Sequence, residues 1–530
     1  MFFSRFSLKR SLSIAHPFLL AIFPFLFFWT NNPAELDFSN VIIPILMTLG
    51  ITAIVLINAY LLLKNPHKAA VGTSLLLIFF FSYGYIYEAL LEFSIGGVEL
   101  GRARYVLPTY GIVFVTLTIS VIVTRKRLRL LSEFLNVVAV ALIAISLFSV
   151  IPGLFKEKTF VPHASVVNSV SVADSGAAAS KPDIYYIILD AYGNEKTLRD
   201  YYNYDNSSFI SALRNRGFYI PDKSTSNFAV THVSLSSSLN MEYVNYLTDV
   251  VAGKDRNFDA TGPLIENNKA SQFLKSRGYS YVNFRSIWGP RRLNPYADAN
   301  FQGGKFDELS MLIINTTLLR AGLLYPPIHA YVFSDYREQI LYQFNQLAQM
   351  PEFTDVEGPK FLYAHIMAPH PPFLFGPNGE PVLDTPLQLA PENFGWSEDE
   401  KQRYINQVTF VNKKVLALVD QLLTKSETEP IIIIQGDHGP WSTAGEDRST
   451  GRFYRERMRI LNAYYMPGNG ETNFYETITP VNTFRIIFNT YFDGDFDILK
   501  DRNYFSDSVS NHKTPFQFIE VTSDATDWSE

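Results

Sequence analysis

Hydrophobic residues dominate the first 155 positions of the chain, where five apolar stretches are separated by short polar segments. Each stretch is close to the length of about 20 residues that crosses the hydrocarbon core of a bilayer as a helix. We therefore predict a transmembrane domain of about five helices over residues 1–155. The apolar stretches cover residues 13–30, 41–63, 70–91, 105–123 and 132–154.

The first apolar stretch follows three basic residues, as the apolar core of a secretory signal peptide does. No cleavage site of small residues comes after it, and four more apolar stretches do. We therefore interpret the first stretch as a helix that is retained in the mature protein.

Basic residues cluster in alternate loops of this region. The loops between them carry Glu35 and Asp37, and then Glu92, Glu99, Arg102 and Arg104. The positive-inside rule places the basic loops in the cytoplasm. We expect the N-terminus in the cytoplasm, a multi-pass location in the cytoplasmic membrane, and all residues after the fifth stretch outside. The basic clusters are Arg5, Lys9 and Arg10; Lys64 and Lys68; and Arg125, Lys126, Arg127 and Arg129.

The pattern changes after the apolar region. Residues 156–181 are rich in Ser, Ala and Val without a helical or strand period, and we interpret them as a linker. From residue 182 onward, short apolar runs alternate with amphipathic helical patterns, which predicts one α/β domain over residues 182–530 with a mostly parallel sheet covered by helices. The predicted strands are residues 183–189, 279–284, 360–366, 431–435 and 462–466.

Two helices of this domain have recognisable ends. Residues 205–216 form a helical pattern that stops at Gly217, a typical C-terminal cap. Ser397 and Glu400 have the spacing of a capping box, which predicts the start of a long amphipathic helix.

Composition excludes several kinds of chemistry. The chain has no cysteine, which removes disulfides, thiolate metal ligands and cysteine nucleophiles. Its net charge of −6 and pI near 5.9 give no sign of the basic face that a nucleic-acid partner requires.

Polar side chains follow three of the predicted strands at the point where each strand ends. Asp190 follows the first strand. Asp437 and His438 follow the strand that contains a run of four isoleucines. His365 lies at the end of a third strand, and His370 lies in the segment after it. In open α/β sheets, catalytic groups gather at the carboxyl ends of the strands. Any one of these residues is as easily a helix cap or a structural hydrogen bonder, but two adjacent metal-binding side chains have no structural purpose at the end of a buried strand.

A hydroxyl nucleophile is available between the first two strands, in a segment that offers Thr231 and the serines at 234, 236, 237 and 238. Hydroxyls are weak nucleophiles unless a base or a metal activates them. Asp190, Asp437 and His438 with a threonine alkoxide make a four-ligand set for zinc or manganese. The alternative is that the serines merely begin a helix, and we expect this of residues 236–238.

Residues 182–505 resemble the alkaline phosphatase/sulfatase superfamily, and within it membrane-anchored transferases such as lipoteichoic acid synthase and the lipid A phosphoethanolamine transferases. The motifs that carry the resemblance are IILDAYG (187–193), T-x-x-S-L (231–235), H-x-x-x-x-H-P-P (365–372) and GDHG (436–439). The resemblance implies that Asp190, Thr231, Asp437 and His438 bind the catalytic metal. It also implies that Thr231 forms a covalent phospho-intermediate and that His365 or His370 contacts the phosphoryl or leaving group.

The chain also departs from the proteins that it resembles. The transferases usually have Glu where this chain has Asp190, and those that modify lipid A tend to carry disulfides, which this chain cannot form. It lacks the C/S-x-P-S-R element that classical sulfatases convert to formylglycine, which disfavours hydrolysis of sulfate esters. Ala191 follows Asp190 where sulfatases and alkaline phosphatases usually have a second acid, which favours one metal over two.

Residues 284–292 (FRSIWGPRR) follow a predicted strand and offer one further site for an anionic substrate. Trp288, Arg291 and Arg292 would bind it through charge and stacking. The alternative is that these arginines are solvated loop residues.

These features predict an enzyme that acts on lipid at the outer surface of the membrane. Thr231 would attack the phosphorus of a phospholipid donor, release diacylglycerol, and pass the phosphoalkyl group to a glycan or lipid acceptor. The alternatives are a phosphodiesterase or phosphatase in which water resolves the intermediate, and a non-catalytic envelope scaffold. The sequence gives no indication of the oligomeric state.

Overall fold

A computed structural model of the chain describes residues 14–31, 36, 38–90, 94–95, 98–125, 128–155, 181–251, 260–286, 293–306, 308–383, 395–506 and 516–529. We number its helices and strands along the chain. The helices are α1 (His16–Asn31), α2 (Phe38–Leu63), α3 (Pro66–Leu90), α4 (Ala103–Val123), α5 (Arg129–Phe155), α6 (Glu195–Tyr202), α7 (Ser207–Arg214), α8 (Thr231–Asn240), α9 (Leu247–Val251), α10 (Gly262–Glu266), α11 (Lys269–Lys275), α12 (Glu308–Thr316), α13 (Leu319–Gly322), α14 (Pro326–Leu347), α15 (Glu398–Lys425), α16 (Arg452–Met458), α17 (Pro480–Tyr491) and α18 (Thr522–Ala525). The strands are β1 (Ser94–Ile95), β2 (Val98–Glu99), β3 (Ile184–Leu189), β4 (Ser280–Phe284), β5 (Ala299–Phe301), β6 (Lys360–Ile366), β7 (Ile431–Gly436), β8 (Asn462–Tyr465), β9 (Tyr504–Ser506) and β10 (Phe518–Glu520).

The chain divides into two compact units. The first comprises Met1–Gly176 and Phe306–His329, and the second comprises Ala177–Lys305 and Ala330–Glu530. The linker that we predict at residues 156–181 lies, except for its last residue, outside the described residues. Its extent and the domain limits beside it therefore stay predictions.

The first unit contains the predicted membrane helices. Among the described residues, α2, α3, α4 and α5 are long and apolar enough to cross a membrane. The apolar helix α1 has 16 residues, fewer than the roughly 20 that a full span requires. The second to fifth predicted spans are thus confirmed as apolar helices of spanning length, and the first forms a shorter apolar helix.

Residues 306–329 belong to the first unit, although they lie within the range that we predicted as the catalytic domain. Leu309 of α12 joins a buried cluster with Phe25, Phe28 and Val41, which are side chains of α1 and α2. This segment therefore packs with the apolar helices.

The second unit is built on a six-stranded sheet with the order β5-β4-β6-β3-β7-β8. Neighbouring strands from β5 to β7 pair in parallel, and β8 pairs antiparallel to β7 at one edge. Every residue of β3, β6 and β7 is buried, as expected for central strands with both faces covered. The predicted α/β fold with a mostly parallel sheet is confirmed.

All five predicted strands are present, and the sheet contains a sixth. The extra strand, β5, has only three residues, and all of them are half-buried. No apolar run in the sequence predicts this strand. The apolar run at residues 462–466 predicts the strand β8. It does not predict the antiparallel pairing of β8 with β7, because a side-chain pattern alone carries no information on strand direction.

Both predicted helix ends are confirmed. The side chain of Ser397 accepts a hydrogen bond from the backbone N–H of Glu400, and the Glu400 carboxylate accepts one from the backbone N–H of Ser397, which completes the capping box of α15. Gly217 adopts a φ of 89°, a left-handed conformation that glycine reaches without steric cost, just after α7 ends.

Candidate metal centre and catalytic site

The central strands of the sheet end at the same level. Leu189, the last residue of β3, pairs with Ile366 of β6 and with Gly436 of β7. Asp190 comes directly after Leu189, and Asp437 comes directly after Gly436. Parallel pairing therefore brings two buried carboxylates together at the carboxyl edge of the sheet.

Asp190, Asp437 and His438 each direct one ligand atom into a common space, where these atoms all lie within 4.8 Å of one another. Nε2 of His438 is 3.7 Å from Oδ1 of Asp190 and 3.4 Å from Oδ2 of Asp437. Both carboxylate oxygens are buried, and no described residue donates a hydrogen bond to either. Since buried charge is costly unless it is compensated, the unpaired oxygens fit a divalent cation.

The imidazole of His438 is held so that one nitrogen faces this space. Its Nδ1 donates a hydrogen bond to the backbone oxygen of Gly439 at 2.9 Å, which leaves the Nε2 lone pair for a ligand bond. Burial, and next the positive charge of Arg457, lower the pKa of His438 to about 4. The ring is therefore neutral at pH 7, as a metal ligand must be.

The carboxylate of Asp437 is oriented by the backbone. Its Oδ1 accepts hydrogen bonds from the N–H groups of Ala191 at 3.0 Å and His438 at 2.9 Å. These bonds occupy one oxygen and leave Oδ2 for the cation space. The loops after β3 and β7 thus fix the same carboxylate.

Thr231 is the first residue of α8, and its hydroxyl Oγ1 lies 3.1 Å from Nε2 of His438. The hydroxyl therefore borders the same space as the unpaired oxygens of Asp190 and Asp437. The positive end of a helix dipole favours negative charge at this position. This arrangement suits a nucleophile that attacks a phosphate ester.

The serines that follow Thr231 have structural hydrogen bonds. Ser234 donates to the backbone oxygen of Asp437 at 2.7 Å, so it positions the loop that carries two ligand candidates. Ser236, Ser237 and Ser238 donate to backbone oxygens of their own segment. Residues 236–238 therefore lie within α8, after its start at Thr231, and their hydroxyls are bonded to the backbone rather than spare.

The two predicted histidines lie in different environments. Nε2 of His365 is 3.0 Å from Oδ2 of Asp190, and the ring is buried. Burial by itself would lower the pKa of His365, but the hydrogen bond to Asp190 and the negative charges of Asp190 and Asp437 outweigh burial and raise it. His365 therefore fixes the orientation of the Asp190 carboxylate, a candidate metal ligand.

His370 is only partly buried and lies in the loop after β6. Its Nδ1 donates to the backbone oxygen of Pro371, and its ring centroid is 5.0 Å from that of Trp441. With Nδ1 protonated, Nε2 carries the lone pair and is the basic nitrogen. His370 is thus better placed than His365 to exchange protons with a substrate.

Sequence reasoning missed Arg457 and Trp441. Arg457 is buried, and its Nη2 lies 3.4 Å from Nε2 of His438 while Nε donates to the backbone oxygen of Ala229. Its guanidinium carbon is 4.7 Å from the ring centroid of Trp441. A buried cation beside His438, whose Nε2 also faces the Thr231 hydroxyl, would stabilise negative charge on a phosphoryl group.

The signals for these two residues were weak. Arg457 belongs to α16, and the charged sequence RFYRERM of this helix is typical of a helix that is exposed to solvent. Trp441 follows the GDHGP segment and is not itself a group that reacts. The other predicted substrate residues, Trp288, Arg291 and Arg292, lie outside the described residues.

Comparison with protein families gives one decisive match. The model of the family described as Sulfatase matches residues 182–485, more than half of the chain. The chain belongs to the sulfatase family. The predicted membership of the alkaline phosphatase/sulfatase superfamily is confirmed, and the protein is a metal-dependent enzyme of the transferase or hydrolase type.

Solved structures similar to this chain share low sequence identity with it. The C-terminal periplasmic domain of EcEptC from Escherichia coli, in complex with Zn, is 12% identical with a TM-score of 0.42, and the match covers 66% of this chain and 94% of that domain. The C-terminal periplasmic domain of phosphoethanolamine transferase EptC from Campylobacter jejuni is 11% identical with a TM-score of 0.33, over 59% of this chain and 90% of that domain. A comparison with curated proteins finds no match.

Proposed function

We propose that this sulfatase-family protein transfers a phosphoalkyl group from a membrane phospholipid to an envelope glycan or lipid through a covalent intermediate on Thr231. The observation that carries the proposal is the position of the Thr231 hydroxyl, 3.1 Å from His438 Nε2. The same space borders the unpaired oxygens of Asp190 and Asp437. A hydroxyl can act as a nucleophile when an adjacent base or a metal activates it, and this setting offers a candidate metal site.

Asp190, Asp437, His438 and Thr231 would hold one divalent cation. Four ligands with one imidazole nitrogen and three oxygens suit zinc, with manganese as the alternative. When bound, the cation would lower the pKa of the Thr231 hydroxyl and polarise a phosphoryl oxygen.

The first half of the reaction forms a bond between Thr231 Oγ1 and phosphorus and breaks the bond between phosphorus and the glycerol oxygen. The hydroxyl proton of Thr231 passes to water, and diacylglycerol leaves with a proton that protonated His370 donates from Nε2. Arg457 lies beside the charge that develops on the phosphoryl oxygens.

The second half reverses these roles. Nε2 of His370, now neutral, accepts the proton of an acceptor hydroxyl, whose oxygen attacks phosphorus. The bond to Thr231 breaks, and the threonine oxygen regains a proton from water. If water instead of the acceptor attacks, the same steps produce hydrolysis, so the exclusion of water decides between the two outcomes.

The first unit supports a lipid donor. It contains an apolar cavity of about 400 Å³ that is lined by α1 and α3 together with Leu142 of α5. Phe23, Phe27, Leu77 and Phe81 are among its walls, and they suit an acyl chain. The basic clusters of the loops favour an orientation in which the sulfatase domain lies outside, at the surface where such lipids are concentrated.

The test uses full-length protein in liposomes that contain phosphatidylethanolamine with a labelled headgroup. Intact-mass spectrometry should show a phosphoethanolamine adduct on the wild type, none on Thr231→Ala, and an adduct on the matched control Thr231→Ser, which keeps a hydroxyl. An adduct of equal yield on Thr231→Ala would overturn the proposal.

The fate of the label distinguishes transfer from hydrolysis. We expect the adduct to decay when a lipid or glycan acceptor is added and to persist in buffer alone. Rapid release of free phosphoethanolamine in buffer would instead identify a phosphodiesterase. A chromogenic sulfate ester should give no turnover, because the chain lacks the formylglycine element.

A further inference from the structure

An apolar segment of the chain lies among the membrane helices although it comes from the middle of the sulfatase-family match. We call residues 308–329 the inserted segment; it comprises α12, α13 and the first residues of α14. Between Leu309 and Ile328, Arg320 is its one charged residue. Such a composition is unusual for the surface of a water-soluble domain.

The inserted segment contacts α3 through its backbone. The N–H of Leu318 donates a hydrogen bond to the backbone oxygen of Phe80 at 2.8 Å. A Cβ built on Gly84 would lie 2.2 Å from the backbone oxygen of Asn315 and 2.5 Å from Cα of Thr316. Only a glycine at this position of α3 allows the segment to approach so closely.

The contact lies deep along the spanning helix. Phe80 is ten residues before the end of α3 at Leu90 and fourteen after its start at Pro66. With a rise of 1.5 Å per residue, these separations are about 15 Å and about 21 Å. Because the hydrocarbon core is about 30 Å thick, Phe80 lies near the middle of the bilayer whichever end faces out.

The side chain of Arg320 reaches back toward the end of α3 at Leu90. Nη1 of Arg320 is 2.9 Å from Oε1 of Glu88 and 3.3 Å from the backbone oxygen of Asn315. The guanidinium carbon lies 4.6 Å from the ring centroid of Tyr87. Arg320 is itself buried, and its charge is paired with a carboxylate and a backbone oxygen, as charged side chains at membrane depth are.

The turn between α12 and α13 satisfies its polar groups internally. Thr317 N donates to Ile313 O at 3.1 Å, and Arg320 N donates to Thr317 O at 3.1 Å. The hydroxyl of Thr317 accepts from Leu319 N at 3.2 Å. Non-helical backbone is tolerated at membrane depth only when its polar groups are paired within the protein in this way.

The segment also presents apolar side chains that are exposed among the residues the structure describes. Leu324 is 50% exposed and Ile328 is 45% exposed. The other exposed apolar side chains are Leu318, Leu319 and Tyr325. Helix α3, on which the segment packs, has exposed apolar side chains of its own, among them Tyr85 and Ile86.

We propose that residues 308–329 form a re-entrant membrane segment, which enters the bilayer from the Glu88 end of α3 and places its exposed apolar side chains against lipid acyl chains. The protein would then have a membrane contact beyond its N-terminal helices, contributed by the sulfatase-family part of the chain. This inference is independent of the reaction that the enzyme catalyses.

The absence of native cysteine makes a direct test simple. Spin labels would be attached to Leu324→Cys and Ile328→Cys in the full-length protein, reconstituted in phosphatidylethanolamine and phosphatidylglycerol vesicles. Ile54→Cys, 62% exposed on α2, is the lipid control, and Ile498→Cys, 48% exposed in the second unit, is the water control. The collision rates of each spin label with oxygen and with a water-soluble nickel chelate would then be measured.

Labels at residues 324 and 328 should collide mostly with oxygen, as at residue 54. Collision mostly with nickel, as at residue 498, would overturn the proposal. Poor access to both reagents would mean that protein, such as a second copy of the chain, covers the surface, and this would overturn it too.

A substitution in α3 tests the contact itself. Gly84→Ala should displace the inserted segment and raise nickel access at residue 324. The matched control is Gly72→Ala in the same helix, where an added Cβ meets nothing within 4 Å. Equal nickel access in both variants would contradict the close packing of the segment on α3.

Discussion

The imidazole of His438 lies between a hydroxyl and a guanidinium, with Nε2 3.1 Å from Thr231 Oγ1 and 3.4 Å from Arg457 Nη2. The two buried carboxylates face the same nitrogen. Charges of both signs are therefore concentrated in a small volume that is shielded from water, where electrostatic interactions are strong. Substitutions at this scale should separate metal binding, nucleophilic attack and stabilisation of charge.

Removal of one ligand should remove the metal. In Asp437→Asn, the cation space loses a full negative charge, and we expect the purified protein to retain less than a tenth of the wild-type metal content by elemental analysis. A cation at 100 times its dissociation constant stabilises a fold by about 2.7 kcal/mol. Chelation should therefore lower the thermal midpoint of the wild type and leave that of Asp437→Asn unchanged.

The control for this variant is Asp420→Asn, since Asp420 pairs with Arg216 at the surface. It should keep its metal and its response to the chelator. Full metal content in Asp437→Asn would show that Asp437 is not a ligand.

Arg457 should act on the transition state more than on binding. Loss of a preorganised cation or donor typically lowers kcat by about 100- to 1,000-fold, and we expect this of Arg457→Met with a small change in KM. Arg452→Met, in the same helix, removes an exposed arginine that pairs with Glu446 and should leave kcat unchanged. A rise in KM at constant kcat would assign Arg457 to substrate binding instead.

Ser234 should prove to be a positioning residue. Its hydroxyl holds the backbone of Asp437, so Ser234→Ala should lower the rate of adduct formation while the adduct still maps to Thr231 by peptide mass spectrometry. Ser236→Ala is the matched control, because that serine bonds its own helix. Complete loss of the adduct in Ser234→Ala, with metal retained, would make Ser234 the nucleophile.

At the scale of elements, α15 connects two loops of the site. The hydroxyl of Tyr404 donates to the backbone oxygen of Ala191 at 2.8 Å, beside the end of β3. One turn later, Nε2 of Gln407 donates to the backbone oxygens of Pro369 at 3.1 Å and His370 at 3.0 Å. The helix therefore positions Asp190 and His370 together.

Gln407→Leu should uncouple the His370 loop from α15. The buried side chain also accepts from the backbone N–H of Leu374, and loss of these bonds leaves polar groups unpaired at a cost of about 1–3 kcal/mol. Displacement of a proton donor by about 1 Å lowers rates by up to about 100-fold. We expect reduced turnover with unchanged metal content, measured beside the exposed control Gln402→Leu; equal turnover in both variants would show that the loop does not depend on Gln407.

The two units of the molecule are not two consecutive stretches of the chain. Residues 306–329 belong with the apolar helices, while the residues before and after them belong to the sulfatase unit. A truncation at the predicted linker therefore separates the inserted segment from its partners.

A fragment of residues 181–530 should remain soluble only with detergent or lipid. It would expose Leu312 and Ile313, which pack against the buried cluster of α1 and α2, in addition to the exposed face of the segment. The combined substitutions Leu312→Ser, Ile313→Ser, Leu324→Ser and Ile328→Ser should restore solubility, as measured by sedimentation with and without vesicles. A native fragment that stays in solution without vesicles would contradict this assignment.

Much of this protein could be predicted from local sequence. The apolar runs that became α2 to α5 and the five predicted strands are long enough for burial to dictate their structure. Asp190, His365, Asp437 and His438 were found because each ends or follows such a strand, and parallel strands bring their ends to one edge. These features depend only on neighbouring residues and on the general geometry of sheets.

Other features required the tertiary structure. In the sequence, Arg457 cannot be distinguished from a surface arginine, and only the fold buries it beside His438. Nothing in the sequence of β8 indicates that this strand pairs antiparallel to β7. The inserted segment resembles core helices of a soluble domain, because apolar residues favour burial in protein and in lipid alike. Contacts between residues far apart in the chain decide such cases, as between Leu318 and Phe80, and no local pattern contains that information.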